Sequence, residues 1–217
     1  MEIPIFPLPM VFFPRVIVPL YIFEERYKLL MNRCIEESKS FGIVLVHEQS
    51  RQETESSIHR VGVMARIVNL ERLDDGRMNT LNAIETRFRI HRFTGKKPYW
   101  TADVEFLDDD AESGEDLQEA YEEVVRLLGD VAELSTGIKS AEKKEVAVPE
   151  SPVSLSYLVS YALDIDTIAK QALLEMNSTT GRLKSLVVHL NETAERLKKQ
   201  PIQKSVARKV RSNAHFN

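Results

Sequence analysis

Few residues in this chain could do covalent or acid–base chemistry, and none has the spacing of a catalytic or metal site. Among 217 residues there are five histidines and one cysteine, Cys34. His47 stands beside Glu48, but no second histidine follows at the spacing of a zinc-binding helix, which favours a histidine at the end of a strand. Cys34 could be a nucleophile, but it shares the apolar stripe of a predicted helix and is interpreted as core. The sequence therefore predicts no catalytic residue, no metal ligand set and no cofactor.

The glycines and the acidic residues point to no catalytic motif either. None of the eight glycines opens a phosphate-binding loop that ends in Gly-Lys-Ser or Gly-Lys-Thr, which excludes an ATPase of that type. A Gly-x-Ser-x-Gly turn is also missing from the sequence. Eleven acidic residues lie between positions 101 and 125 without a lysine or arginine, but they do not follow the calcium-loop pattern. We interpret this segment as a solvated acidic surface.

One segment combines charge with a strict alternation of residue types, and it is a candidate for binding rather than catalysis. Residues 87–91 alternate between basic and apolar side chains, as in a half-buried strand. The alternation predicts that Phe88 and Ile90 face a core and that Arg87, Arg89 and His91 face solvent.

Two aromatic residues, Tyr99 and Trp100, follow this basic strand closely. Aromatic side chains beside charged ones often anchor protein interfaces, although packing between the last strand and the helices would explain them equally well. Tyr99, Trp100, Arg87 and Arg89 are therefore the candidate residues for contact with a partner.

The same segment allows a second interpretation, which is nucleic-acid binding. Arg92, Lys96 and Lys97 add to its positive charge, and basic residues interleaved with aromatic ones can contact phosphates and stack on bases. Against this interpretation stand the acidic segment that follows and the net charge of −4. Nucleic acid is thus the weaker of the two expectations for a partner.

The elements that must position these residues change type once along the chain. The apolar residues Phe23, Tyr27, Leu30, Met31 and Cys34 recur at helical spacing, and the stretches around this helix are rich in β-branched residues. A tight turn at residues 74–76 joins two strands as a hairpin, and the last predicted strand ends near position 107.

Beyond the acidic segment the periodicity becomes helical. Apolar residues fall at steps of four and three between Leu117 and Val131, and further helices are predicted from Pro152, from about Asp166 and from Ser178. Residues 135–153 lack periodicity and predict a mobile connector. The chain is thus predicted to be α+β, with a β-rich part with one helix (1–108), a helical part (109–200) and a basic tail (201–217).

The compartment is predicted from the cysteine count and from the N-terminus. One cysteine cannot form an internal disulfide, which fits a reducing environment. The chain starts without the basic residues and the continuous apolar stretch of a secretory signal, and its early apolar run is interrupted by Pro19 and too short for a bilayer. We therefore expect a cytoplasmic protein without a membrane segment.

Three ordered blocks at the start of the chain carry a specific pattern of proline and aromatic residues. They are Ile3-Pro4-Ile5-Phe6-Pro7-Leu8, Val11-Phe12-Phe13-Pro14 and Val18-Pro19-Leu20-Tyr21-Ile22-Phe23-Glu24-Glu25-Arg26-Tyr27. Later blocks agree in order and spacing, at residues 41–45, 62–67, 75–77, 87–90, 170–175 and 182–183. Over roughly residues 1–198 the chain resembles the N-terminal, substrate-binding domain family of Lon proteases.

The resemblance implies a function and a fold. It implies a PUA-like β part and a free-standing module that binds unfolded or tagged polypeptides, or docks to a protease or another protein partner. An RNA-binding PUA-like protein remains the alternative.

The sequence departs from the family pattern in two places. A full Lon protease would continue into ATPase and peptidase modules where this chain stops, so we expect no enzymatic activity. The family usually has a glycine just before the block at 87–90, and its absence from residues 82–85 predicts the loss of a bulge or of a close backbone approach there.

Overall fold

Within the described part of the chain, six strands and five helices follow in the order that the periodicity predicts. The computed structural model describes residues 1–37, 39–46, 54–96, 98–136 and 148–199. The strands are β1 (Glu2–Leu8), β2 (Ile17–Ile22), β3 (Phe41–Val46), β4 (Ile58–Arg72), β5 (Met78–Gly95) and β6 (Trp100–Leu107). The helices are α1 (Glu25–Glu36), α2 (Glu115–Thr136), α3 (Pro152–Ala162), α4 (Thr167–Glu175) and α5 (Thr179–Lys199). The α+β class is confirmed.

Two of the predicted regions fall partly or wholly outside these ranges. The basic tail at 201–217 lies outside the described residues, as do residues 137–147 of the predicted connector. At the start of that connector, α2 extends through Thr136. None of the described helices is long and apolar enough to cross a bilayer.

The C-terminal helices begin at polar side chains that accept main-chain hydrogen bonds. The Asp166 carboxylate accepts from the Ala169 amide at 2.9 Å, and the Ser178 hydroxyl accepts from the Gly181 amide at 2.8 Å. Ser151 precedes Pro152, whose fixed φ suits the first helical position. These contacts satisfy amides that have no partner within the helix, which explains why the predicted starts are confirmed.

The sheet closes on itself because β5 is long enough to pair with three strands. The strand order is β2-β5-β4-β3-β1-β6, and β6 pairs again with the second half of β5. Strands β1, β3, β4, β5 and β6 therefore form a closed ring. Strand β2 pairs with the first half of β5, from Met78 to Ala83, and widens the sheet beyond the ring.

Two hydrophobic cores result from this closure. The ring encloses one of them, formed by Ile3, Ile5, Val44, Ile58, Met64, Phe88, Ile90, Trp100, Ala102 and Val104. The second core lies between the sheet and the helices and joins both halves of the chain, from Phe13 and Ile43 to Leu155 and Leu186. Phe23, expected on the apolar stripe of α1, is instead 60% exposed, because α1 begins only at Glu25.

A bulge in β5 sets which side chains face each core. Val63 of β4 pairs with Arg87 and Ala65 pairs with Ile84, so β5 has one extra residue between these pairs. The predicted loss of a bulge at this place is therefore wrong. The described residues with positive φ include none from this stretch of β5, and a bulge without positive φ does not require glycine.

Replacing Gly62 by alanine tests the close packing of the ring. A Cβ at Gly62 would clash with the carbonyl oxygen of Ile43 and lie 2.6 Å from Cγ1 of Val44. We expect G62A to lower the free energy of unfolding by about 1–3 kcal/mol, as overpacking of a core does. Urea unfolding followed by circular dichroism measures the change.

Gly129 provides the matched control, because a Cβ there meets nothing within 4 Å. It lies inside α2, where alanine is favoured over glycine, so G129A should raise the stability by about 0.5–1 kcal/mol. Effects of the same sign and size at both positions would contradict the packing that we describe for Gly62.

Candidate binding surface

The four residues predicted to contact a partner do not form one surface. Trp100 points into the ring, 4.9 Å from the Phe93 ring, and Tyr99 lies in the second core, where its hydroxyl accepts from Arg33 at 3.3 Å. Both aromatic side chains are only 5% exposed. The structure thus gives them packing roles, and a role as interface anchors stays a prediction.

Arg87 is buried, so the prediction that its side chain faces solvent is wrong. Its exposed fraction is 1%, and its guanidinium donates to the carbonyl oxygens of Leu174 and Met176 at 2.9 and 2.7 Å. It also donates to the Asp108 carbonyl and to the Asp109 carboxylate at 3.0 and 3.2 Å. The physical reason is what covers this face of the strand. Arg87 does lie on the face opposite Phe88 and Ile90, but the end of α4 and the segment after β6 pack over that face at this position.

Arg87 belongs to a buried polar cluster with Asp109, Tyr157 and Arg182, which we call the arginine network. Arg182, fully buried on α5, donates to the same Asp109 oxygen as Arg87, at 2.8 Å. The Tyr157 hydroxyl of α3 also donates to Asp109 at 2.8 Å, and burial raises the pKa of Tyr157 to about 12. The network therefore joins β5, the segment after β6, α3 and α5, and its contacts are structural.

Arg89 does face solvent, but acidic residues of β6 lie beside it and its neighbours. Its guanidinium is 3.8 Å from the Glu105 carboxylate, and His91 is 3.3 Å from the same residue. Arg92 lies 3.9 Å from Asp103. The basic residues of this strand therefore face carboxylates of the neighbouring strand, which reduces the positive field that a phosphate backbone would meet.

An exposed apolar surface lies elsewhere, on the face of the sheet that the helices leave uncovered. Ile17, Pro19 and Tyr21 of β2 pair with Ala83, Leu81 and Asn79 of β5. Since directly paired residues point to the same face, these side chains lie side by side. We call the surface formed by Ile17, Pro19, Tyr21, Phe23 and Leu81 the outer patch.

The outer patch has the character of a binding surface. Its four large side chains, Ile17, Tyr21, Phe23 and Leu81, are between 40% and 65% exposed. The Tyr21 and Phe23 rings lie 6.1 Å apart, and the Arg77 guanidinium lies 5.4 Å from the Tyr21 ring. Contiguous apolar surface with polar residues at its margin is typical of sites that bind other molecules.

The sequence carried a signal for the outer patch, although periodicity alone does not resolve it. Positions 17–23 are apolar in both phases of the strand, so the alternation does not mark which phase is buried. The even positions Val18 and Ile22 enter the core, and the odd positions remain outside. A short predicted strand that is apolar in both phases is the sequence pattern that would have indicated the patch.

Cys34 lies in the core as expected, and its surroundings suppress its reactivity. Its side chain is 3% exposed, and burial raises the pKa of the thiol to about 11. In the described part of the chain, no three histidine, cysteine, aspartate or glutamate residues are grouped to hold a metal ion.

The thiol of Cys34 should be slow to react in the folded protein. An unperturbed cysteine has a pKa of about 8.5, so at pH 8 a raised pKa leaves far less of the reactive thiolate. We expect the native protein to react with Ellman's reagent on the order of 100-fold more slowly than the protein in urea. Equal rates in the two states would contradict a buried thiol.

Alanine substitutions at Arg87 and Arg89 test the assignment of these residues. R87A takes this donor from two carbonyl oxygens and from part of the Asp109 carboxylate, whereas the Met176 carbonyl keeps Arg182 as a donor. We expect a loss of about 3–5 kcal/mol in stability. R89A removes only an exposed ion pair and should cost less than about 1 kcal/mol. Thermal and urea unfolding of both variants measure the contrast, and similar losses would contradict it.

Comparison with known proteins places this geometry in a family. The family model of the ATP-dependent protease La (LON) substrate-binding domain matches residues 2–192. Lon protease of Flavobacterium johnsoniae is 25% identical over 210 residues, which are 94% of this chain and 26% of that protein. Lon protease 2 of Myxococcus xanthus is 28% identical over 202 residues, covering 90% of this chain and 24% of that protein. The chain thus spans about a quarter of the length of these relatives.

Two solved structures share the fold at low sequence identity. The Lon N-terminal domain protein from Xanthomonas campestris superposes with a TM-score of 0.65 at 20% identity, over 87% of this chain and 98% of that one. The N-terminal domain of Mycobacterium avium complex Lon protease gives a TM-score of 0.69 at 20% identity, over 88% of this chain and 99% of that one.

Proposed function

The chain belongs to the family of the ATP-dependent protease La (LON) substrate-binding domain, and from this premise we propose that it is a non-catalytic module that binds exposed apolar segments of polypeptides. The relatives named above are complete Lon proteases, so a contribution to proteolysis or docking to a protease is part of the proposal rather than of the family assignment. The observation that carries the proposal is the outer patch.

The outer patch fits an unfolded polypeptide better than it fits a small molecule. It lies on the face of a sheet opposite the second core, and its apolar side chains form an open surface. Burial of a large apolar side chain contributes about 1.5–3 kcal/mol, so three or four of them give useful affinity after the cost of ordering a flexible partner. An apolar surface of this kind selects for exposed side chains and not for one sequence.

Nucleic-acid binding, the alternative, has less support from the arrangement of the side chains. Stacking on bases needs exposed rings, and Tyr99 and Trp100 are both buried. Arg89 and Arg92 lie near carboxylates of β6. The proposal of a polypeptide partner therefore takes precedence over RNA.

Trp100 and Tyr99 are poor positions for a test of binding. Trp100 packs inside the ring, so W100A should unfold or loosen the protein, and Tyr99 contributes to the second core. Loss of binding in such variants would report on stability and not on contact with a partner. Exposed residues of the outer patch avoid this ambiguity.

The double variant Y21S/F23S should weaken binding to reduced, carboxymethylated lactalbumin, which is permanently unfolded. Loss of two aromatic contacts should raise the dissociation constant about tenfold or more. The matched control is F106S, because Phe106 is also an exposed aromatic side chain, 51% accessible, on a different strand. Fluorescence anisotropy measures the affinities, and unfolding curves check that all variants remain folded.

The same measurement in two salt concentrations distinguishes the two kinds of partner. Apolar contacts are little affected by salt, so polypeptide binding should persist between low and physiological ionic strength. Binding to single-stranded RNA should be weak and should decline steeply over that range, because counterion release drives it. Tight RNA binding with a steep salt slope, together with no polypeptide binding, would reverse the assignment.

The absence of ATPase and peptidase motifs from the sequence supports the non-catalytic part of the proposal. We expect the purified protein to hydrolyse no ATP and to leave casein intact. A peptidase activity that survives purification and disappears on a single substitution would contradict it.

A further inference from the structure

One edge of the sheet is left open beside β4. Strand β3 pairs with β4 only as far as Phe41, which lies opposite Ala65. Strand β4 continues to Arg72 and pairs there with β5. Along residues 66–72, which we call the β4 edge, the described residues supply no strand on the side away from β5. The position that β3 would occupy if it were longer is therefore open.

Main-chain groups of the β4 edge point into this open position. Leu73 and Arg77 are joined by a main-chain hydrogen bond at the hairpin, so by alternation Arg72 directs its amide and carbonyl away from β5. The amide and carbonyl of Ile84 bond to Val16 and Arg15, on the side away from β4. Its partner Ala65 on β4 therefore directs its own amide and carbonyl away from β5, and by alternation so does Ile67. The intervening Leu70 amide donates to the Asn69 side chain at 2.9 Å.

A groove of about 600 Å³ runs between the β4 edge and the end of α1. The groove is lined by Cys34, Ile35 and Lys39 and by Arg66, Ile67, Val68, Asn69, Leu70 and Arg72. Three of these residues are cations and none is an acid. Ile35 and Val68 add exposed apolar surface, at 40% and 44%.

The cations of the groove differ in how far they are neutralised. Arg66 pairs with Glu85 at 2.6 Å, and Lys39 pairs with Glu37 at 2.7 Å. The Arg72 guanidinium donates at 2.8 Å to the side-chain oxygen of Asn32, which is neutral. Arg72 is thus the cation best able to attract a carboxylate.

The β4 edge also lacks the residue that blocks strand addition elsewhere in this sheet. Strand β2, which ends the strand order on the other side of β5, contains Pro19. Residues 66–72 contain no proline, and proline or inward-facing charge is a usual protection of exposed edges. Only the bulge near Val68 interrupts the edge.

We propose that the β4 edge binds an extended acidic segment of polypeptide as an added strand in line with β3. Main-chain hydrogen bonds to Ile67 and Arg72 would hold the segment, and the cations would select its acidic side chains. A second copy of this chain fits less well, because two such edges would bring Arg66, Arg72 and Lys39 against the same cations. The inference rests on the proposed function, since it names a second way in which the module holds a polypeptide.

The probe for this site is the peptide acetyl-Glu-Val-Glu-Val-Glu-Val-amide with a fluorescent label. In nuclear magnetic resonance spectra of the full chain, the amides of Ile67 and Arg72 should gain protection from exchange when this peptide is added. Binding that leaves both amides exchanging as in the free protein would overturn the proposal, and so would a peptide-dependent dimer.

Charge reversal separates the β4 edge from the rest of the surface. R72E should weaken peptide binding about tenfold, because it places an acid where the peptide's carboxylates lie. R92E makes the same change of charge at an exposed arginine on another part of the sheet and should alter the affinity less than about twofold. Equal effects of R72E and R92E would mean general electrostatics and would also overturn the proposal.

Alternate N-methylation of the peptide tests main-chain pairing directly. Methylating every second amide removes the donors on one edge of the extended peptide and leaves its side chains unchanged. One of the two alternately methylated peptides should bind about tenfold more weakly than the other, as loss of main-chain hydrogen bonds predicts. Equal affinities would contradict strand addition.

The variants of the two surfaces keep the two proposals distinct. If Y21S/F23S abolishes binding of unfolded lactalbumin while R72E leaves the acidic peptide unaffected, the outer patch stands and the β4 edge fails. If neither unfolded lactalbumin nor the acidic peptide binds the native chain, the proposed function itself fails.

Discussion

The sharing of one carboxylate, that of Asp109, by Arg87 and Arg182 is the interaction on which the placement of the helices against the sheet depends. Both guanidinium groups are buried, and burying a charge costs several kcal/mol unless its donors are satisfied. Most of their N–H groups have partners, among them main-chain carbonyls at the end of α4 and after β6, whereas the buried Nε of Arg87 has none among the described residues. These contacts require the helices to lie where they do. The network therefore fixes geometry rather than adding much net stability.

This arrangement decides which surfaces remain free. The second core covers the face of the sheet toward the helices, and the ring fills its own interior. The opposite face of β2 and β5 carries the outer patch, and beyond Ala65 no strand of the described residues pairs with the free edge of β4. The two proposed contacts with polypeptide, one through apolar side chains and one through the main chain, are adjacent because β4 and β5 are neighbouring strands.

Most of the fold could be predicted from the sequence, whereas the candidate site could not. The element types follow from local periodicity, and helix starts at Asp166 and Ser178 follow from capping chemistry that depends on neighbouring residues only. The prediction for Arg87 failed because alternation assigns a side chain to one face of a strand but does not show what packs on that face, and here the end of α4 does. Tyr99 and Trp100 were candidates by residue type, and their burial depends on ring closure.

The α+β class, the order of the helices and strands and the resemblance to the Lon substrate-binding domain can all be read from the amino-acid sequence, because each rests on patterns within short stretches of chain. Which apolar residues remain exposed depends on the folded arrangement of the elements. Val18 and Tyr21 belong to one strand and are both suited to a core, yet the second core accepts Val18 and leaves Tyr21 exposed. The physical reason is that a sheet face becomes a surface or an interior according to what packs on it, and that packing is set by residues far away in the sequence.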